Sequence, residues 1–284
     1  PVTGSLYTRY RVRKSGSEND ADLYQFLSMD FGDKYKHFAT GHFDARMAAD
    51  FQHNRRTGRA SDVFAGLLDT YDEDVQARLY TAYVDFHKLH GLEYLRVGRQ
   101  YNYDTPEVLE YDGARVETDP LLGDHELKFS FYGGLPVHQY ESSPAEDLVA
   151  GMAAEGRPWK PARMRLDYIH LEDTRRDIRT LDGDLVDQSL ATGSGRERND
   201  LVSLTMWQVF RNPGIQLQGR VSVLDGHARE AMARMTYHRP QDKFHLTAAY
   251  ETWFKEQTRL VTEFDPYFQT LSGQEPYHHG TIVV

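Results

Sequence analysis

Arginine at every second position is the feature of this chain with the clearest chemistry. Arg9, Arg11 and Arg13 alternate with Thr8, Tyr10 and Val12, and Arg163, Arg165 and Asp167 alternate with Met164, Leu166 and Tyr168. His42, Asp44 and Arg46 share a third such row, and Arg96, Arg220 and Arg234 stand in others. A guanidinium grips a carboxylate or phosphate through two parallel N–H donors, so a surface bearing rows of them can hold or select anions. The same arginines can instead pair with Asp44, Asp50, Asp85, Glu110, Glu117 and Asp167, making a salt-bridged wall. With 43 acidic against 33 basic side chains and a formal charge of -10, partners are plentiful, and the wall is the favoured reading.

The element that positions these rows must have a period of two, which is the strand period. From Phe38 to Phe51 one face reads Ala39, Gly41, Phe43, Ala45, Met47, Ala49, and the other reads Thr40, His42, Asp44, Arg46, Asp50. Alternation this long exceeds the usual strand of about 5–6 residues and suits a tilted membrane strand of about 9–11. The pattern repeats about fourteen times, over 4–14, 22–32, 37–51, 75–89, 93–102, 108–118, 125–135, 146–156, 162–173, 200–210, 214–224, 229–238, 243–257 and 277–284. The segments 75–89 and 201–210 are less clean, as a β-bulge in each would make them. Only Val63–Leu68 suggests a helical turn.

Connection lengths alternate as well. The longest, 52–74, 136–145, 174–199 and 258–276, follow odd-numbered strands, and compact turns such as Gly32-Asp33-Lys34 and His90-Gly91-Leu92 follow most even ones. Long loops on one side and short turns on the other are the pattern of an outer-membrane barrel, with the N-terminus on the periplasmic side. The expectation is an all-β, antiparallel up-and-down transmembrane β-barrel in the bacterial outer membrane, spanning 1–284 as a single domain. In it the charged rows face the lumen, because an arginine facing lipid at mid-depth costs about 2–4 kcal/mol. Val283-Val284 reads as strand without a terminal aromatic, so further strands are expected beyond it.

Other chemistry is poorly served. No cysteine is present, which removes disulfides, thiolate metal sites, cysteine nucleophiles and covalent c-type haem. Asp69, Asp72, Glu73 and Asp74 lack EF-hand spacing, and neither His87, His90 and Glu93 nor the His278-His279 doublet forms a zinc pattern. No G-x-S-x-G elbow or P-loop occurs, so neither catalysis nor a cofactor is expected. The acidic balance argues against nucleic acid. The loops 52–74 and 174–199 are candidates to fold inward as a gate or to remain solvated.

Residues 95–117 read LRVGRQYNYDTPEVLEYDGARVE, and "LRVGRQ" and "YDGARVE" resemble consecutive strands of the alginate-export-type group of outer-membrane porins. The match covers about a tenth of the chain. The resemblance implies a lumen rich in Arg and Lys, with Arg96, Arg99, Asp112 and Arg115 as wall residues, and it names no solute. Three functions follow for test. The first is a passive channel for small polar or charged solutes, with outer-membrane lipid as partner. The second is a sleeve around a periplasmic or lumen-bound partner such as a multihaem cytochrome. The third is a soluble β-protein, in which Phe43, Met47, Phe129, Phe131, Leu217 and Val221 would pack between two sheets.

Overall fold

The computed structural model describes residues 1–15, 18–51, 75–137, 147–175, 195–212, 214–239, 244–254 and 277–283. Among the described residues fourteen strands follow one another. They are β1 (Val2–Ser15), β2 (Glu18–Phe31), β3 (Ala39–Asp50), β4 (Val75–Phe86), β5 (Leu92–Asn102), β6 (Leu109–Thr118) and β7 (Lys128–Pro136). Then come β8 (Leu148–Gly156), β9 (Ala162–Arg175), β10 (Gly195–Phe210), β11 (Ile215–Leu224), β12 (His227–Arg239), β13 (Phe244–Trp253) and β14 (His278–Val283). They form one sheet in sequence order, the up-and-down antiparallel meander of the β-barrel class. No pairing of β1 with β14 occurs among the described residues. Among the described residues a single 3-10 turn, Gly123–His125, interrupts the strands, and no helix is long and apolar enough to cross a membrane.

Pairing registers fix which side chains share a face. In β1–β2 the partners Arg9↔Tyr24, Arg11↔Asp22 and Arg13↔Asp20 stand on one face, and Tyr10↔Leu23 and Val12↔Ala21 on the other. In β11–β12, Gln218↔Arg234 and Gln216↔Thr236 alternate with Leu217↔Met235 and Ile215↔Tyr237. One face is therefore polar and the other apolar. The apolar face is exposed: Leu6 is 65% exposed, Phe131 47% and Val221 51%. There is no second sheet for it to pack on among the described residues. Phe43, Met47, Phe129, Phe131, Leu217 and Val221 all stand on this open face, which is contrary to a two-sheet core.

The chain divides into two compact units. The first comprises β1–β4 with Arg96–Gln100 of β5, and the second is built on β6–β14. In the second, Phe210 lies at the turn end of the apolar face and Tyr168, paired with Val202, eight residues toward the loop end. That is about 27 Å of strand, close to 20 Å in height at a 40° tilt, comparable with a bilayer's apolar band. Tyr237 and Phe244, with ring centroids 5.8 Å apart, join Phe210 at the turn end, and Tyr250 joins Tyr168 at the loop end. In the first unit, Phe38 packs on Phe86 at the turn end (5.9 Å) and Tyr10 on Phe51 at the loop end (6.3 Å).

The polar face of the second unit is not uniformly polar. Toward the loop end it carries Leu109, Tyr111, Tyr132, Val149, Ile169, Leu171, Leu201 and Leu224, all buried in one apolar cluster. Gly151, opposite Tyr132, leaves room for that ring; a Cβ at 151 would collide with the phenol. This layer explains why 201–210 reads ambiguously. Leu201 on the polar face belongs to the cluster, whereas Gln208 on the apolar face is covered by Trp159, whose indole N–H donates to it at 2.7 Å. The expected bulge is absent there, since β10 pairs without a register shift on both sides. The bulge expected in 75–89 is present, with Tyr80 the extra residue of β4 opposite Asp44/Ala45. An unforeseen one makes Arg229 the extra residue of β12 opposite Ser222/Val223.

The loop expected at 174–199 is shorter, because Gly195↔Arg175 extends the β9–β10 ladder. The sequence there is charged at successive positions, which erases the apolar period while backbone pairing continues. The expected loops 52–74 and 258–276, most of 136–145 and the turn at Val63–Leu68 lie outside the described residues, as do Asp69, Asp72, Glu73 and Asp74.

Candidate functional site

The polar face is the candidate site, and its chemistry is pairing of opposite charges across adjacent strands. In the first unit Arg11 donates from Nε to Asp22 at 2.8 Å and from Nη2 to the Tyr24 hydroxyl at 2.8 Å. Arg13 donates to Asp20 at 2.5 Å. Asp50 lies across from Asp22, and the carboxylates of Asp20, Asp22 and Asp50 approach within 4.8 Å of one another. Two guanidiniums set against them offset that repulsion.

His42 lies between two carboxylates, with Nδ1 2.7 Å from Asp30 and Nε2 2.8 Å from Asp44, and the Thr81 hydroxyl donates to Asp44 at 3.3 Å. Arg46 reaches the amide oxygen of Gln76 at 3.3 Å and lies 5.9 Å from the Tyr80 ring. Arg96 forks onto both oxygens of Asp85 (2.7 and 2.9 Å) while its guanidinium lies 3.7 Å from the Tyr83 ring centroid. That combination of bidentate contact and stacking is one that lysine does not reproduce.

In the second unit Arg115 is buried and donates to Asn102, Asp104 and Glu117, each at 3.1 Å. Glu117 also accepts from the Tyr94 and Ser130 hydroxyls, at 3.1 and 3.3 Å. Glu155 receives Arg163 at 2.7 Å and Arg165 at 3.4 Å, and Arg165 donates to Asp167 at 2.9 Å. Arg163 also lies 5.8 Å from the Trp207 ring. Arg220 donates to Glu230 at 3.1 Å.

One contact spans strands far apart in sequence. Glu107, in the connection between β5 and β6, forms an ion pair with Arg229 of β12, whose guanidinium lies 5.0 Å from the Trp253 ring. The Thr105 hydroxyl pins this connection, donating to the backbone carbonyls of Asn102 (3.3 Å) and Glu107. Within the second unit the sheet therefore curls far enough to bring the β5–β6 connection against β12. Burial pushes the Glu107 carboxyl above the usual glutamate range, and the Arg229 charge pulls it back only in part.

All eleven residues expected on the charged wall (Arg9, Arg11, Arg13, His42, Asp44, Arg46, Arg96, Arg163, Arg165, Asp167 and Arg220) stand on this face. Their partners differ in part from those expected. Asp85, Glu117 and Asp167 pair with arginines, but Asp44 serves His42. Glu110 alternates with Tyr111 onto the opposite face. Of the residues implied by resemblance, Arg96 and Arg115 lie on the wall. Arg99 and Asp112 alternate to the other face, where Arg99 donates to the Leu79 carbonyl beside the β4 bulge at 3.1 Å. Asp20, Asp22, Glu155, Glu230, Glu107 and Arg229 were missed. For the first four, opposite charge at cross-strand or diagonal positions was the available signal; for Glu107 and Arg229 there was none.

No protein-family model and no curated protein matches the chain. Among solved structures it is similar to Salmonella typhi OmpF, solved in complex with daunomycin. Identity is 8%, coverage is 99% of this chain and 95% of that one, and the TM-score is 0.38. The likeness to alginate-export-type porins rests on residues 95–117 alone.

Proposed function

We propose that this chain is an outer-membrane channel for passive passage of small polar or charged solutes, with its apolar face in lipid and its charged face toward water. The observation that carries the proposal is the opposition of the two faces. One exposes Leu, Val, Phe and Met between aromatic residues at both strand ends. The other gathers arginine–carboxylate pairs that would be prohibitively costly in lipid. The chemistry of the wall is binding and positioning of charge.

A sleeve around a partner protein calls for an unfilled inner face. In the second unit Leu109, Ile169, Leu171, Leu201 and Leu224 are already covered by this chain itself, each at most 2% exposed, which supports the channel reading over the sleeve. The test is reconstitution of the full chain into planar lipid bilayers. Discrete conductance steps are expected; a chain that stays soluble without detergent and gives no steps rules the channel out.

A further inference from the structure

Against a wall of matched pairs, one arginine on the polar face of the second unit stands alone among the described residues. Arg234 of β12 is exposed on the polar face and forms no ion pair or hydrogen bond among the described residues. Its cross-strand partners are Gln218 of β11 and Ala249 of β13. One step toward the turn end on the same face lie Gln216, Thr236 and Thr247, and beyond them the facing pair His238 and His245, with ring centroids 5.9 Å apart.

From the turn end up to the level of Glu230 and Glu251, this face of β11–β14 carries no carboxylate among the described residues. Both of those acids are engaged. Glu230 holds Arg220, and Glu251 accepts from the Trp253 indole at 3.0 Å and the Tyr277 hydroxyl at 2.9 Å. A carboxylate-free patch of guanidinium, amides, hydroxyls and imidazoles, in a chain of net charge -10, has the composition that favours an anion. Arg9 of β1 is also outside any ion pair among the described residues, but its same-face neighbours are Tyr24 and Phe26 and the acid Asp22, so it lacks that surround.

We infer that Arg234, with Gln216, Gln218, Thr236 and Thr247 around it, binds a small oxyanion, a phosphate or a carboxylate, on the turn-side half of the inner face. The guanidinium supplies the bidentate contact, and amide N–H and hydroxyl groups complete the oxygen shell. The inference rests on the reading that this face meets water.

The test is calorimetric titration of the full chain in detergent with inorganic phosphate and, separately, acetate. R234Q is expected to weaken binding about tenfold, equivalent to about 1.4 kcal/mol, R234K less, and R9Q not at all. A fall for either anion that is specific to position 234 supports the site. Absence of binding to the wild type, equal affinity of wild type and R234Q, or equal losses in R234Q and R9Q overturns it. Phosphate binding without conductance would retire the channel and keep the site; conductance without binding would do the reverse.

Discussion

Replacing Arg229 by Met is the substitution with the largest expected effect on stability. Arg229 is 5% exposed, is the extra residue of a bulge, lies over Trp253, and neutralises Glu107. Deleting one partner of a buried pair leaves the other charge uncompensated, at a cost of about 3–5 kcal/mol. Loss of the contact with Trp253 adds about 0.5–2 kcal/mol. Glu107→Gln alone strands the guanidinium and is expected to cost a comparable amount. The double variant removes both charges, and its expected cost is about 1 kcal/mol or less, since neutral replacements of buried pairs are often tolerated.

The pH dependence has a definite sign. Because the Glu107 carboxyl titrates above the ordinary glutamate range when folded, folding takes up protons at this site. Its stabilising contribution is full below the ordinary glutamate value and is lost as pH rises through the raised one. In R229M the stranded carboxyl protonates on acidification, so the penalty shrinks from pH 7 toward pH 4. The assay is urea unfolding in lipid vesicles followed by tryptophan fluorescence, with Trp253 adjacent to the pair. A cost under about 1 kcal/mol for R229M, with no coupling in the double variant, would show that the pair behaves like an exposed one and not a buried one.

Three further outcomes are expected. Gly151→Val drives a side chain into the Tyr132 ring, costing about 1–3 kcal/mol as an overpacked core, whereas Gly280→Ala, with open space around it, is expected to be near neutral in the same unfolding assay. Val221→Arg on the apolar face is expected to cost about 2–4 kcal/mol in vesicles, and Gln218→Arg on the polar face far less; equal costs would contradict the face assignment. Arg96→Lys keeps the charge but loses the fork onto Asp85 and the stack on Tyr83. Its expected destabilisation is about half that of Arg96→Ala, read from the unfolding midpoint.

The strands and their faces were legible because every residue of a half-exposed strand reports its side by polarity. Thr40, His42 and Asp44 against Gly41, Phe43 and Ala45 leave no second solution. Legibility failed where polarity stopped tracking the face. Arg175 and Gly195 extend a ladder among charges, and Leu201 and Leu224 are apolar on the polar side. Arg99 and Asp112 read as wall residues only because they are charged, yet alternation from Arg96 and Arg115 sends them to the other face. The Glu107–Arg229 contact was beyond reach, because it depends on how far the sheet curls and on an extra residue in β12, neither of which a strand period encodes.

Thiol labelling separates a face that meets lipid from one that meets water. The chain has no cysteine, so single cysteines can be placed at Gln216, Gln218 and Arg234 and at Leu217, Val221 and Met235, in protein reconstituted into vesicles. A water-soluble maleimide is expected to label the first three and spare the second three, reproducing the two-residue period. Equal labelling at Leu217, Val221 and Met235 would contradict it.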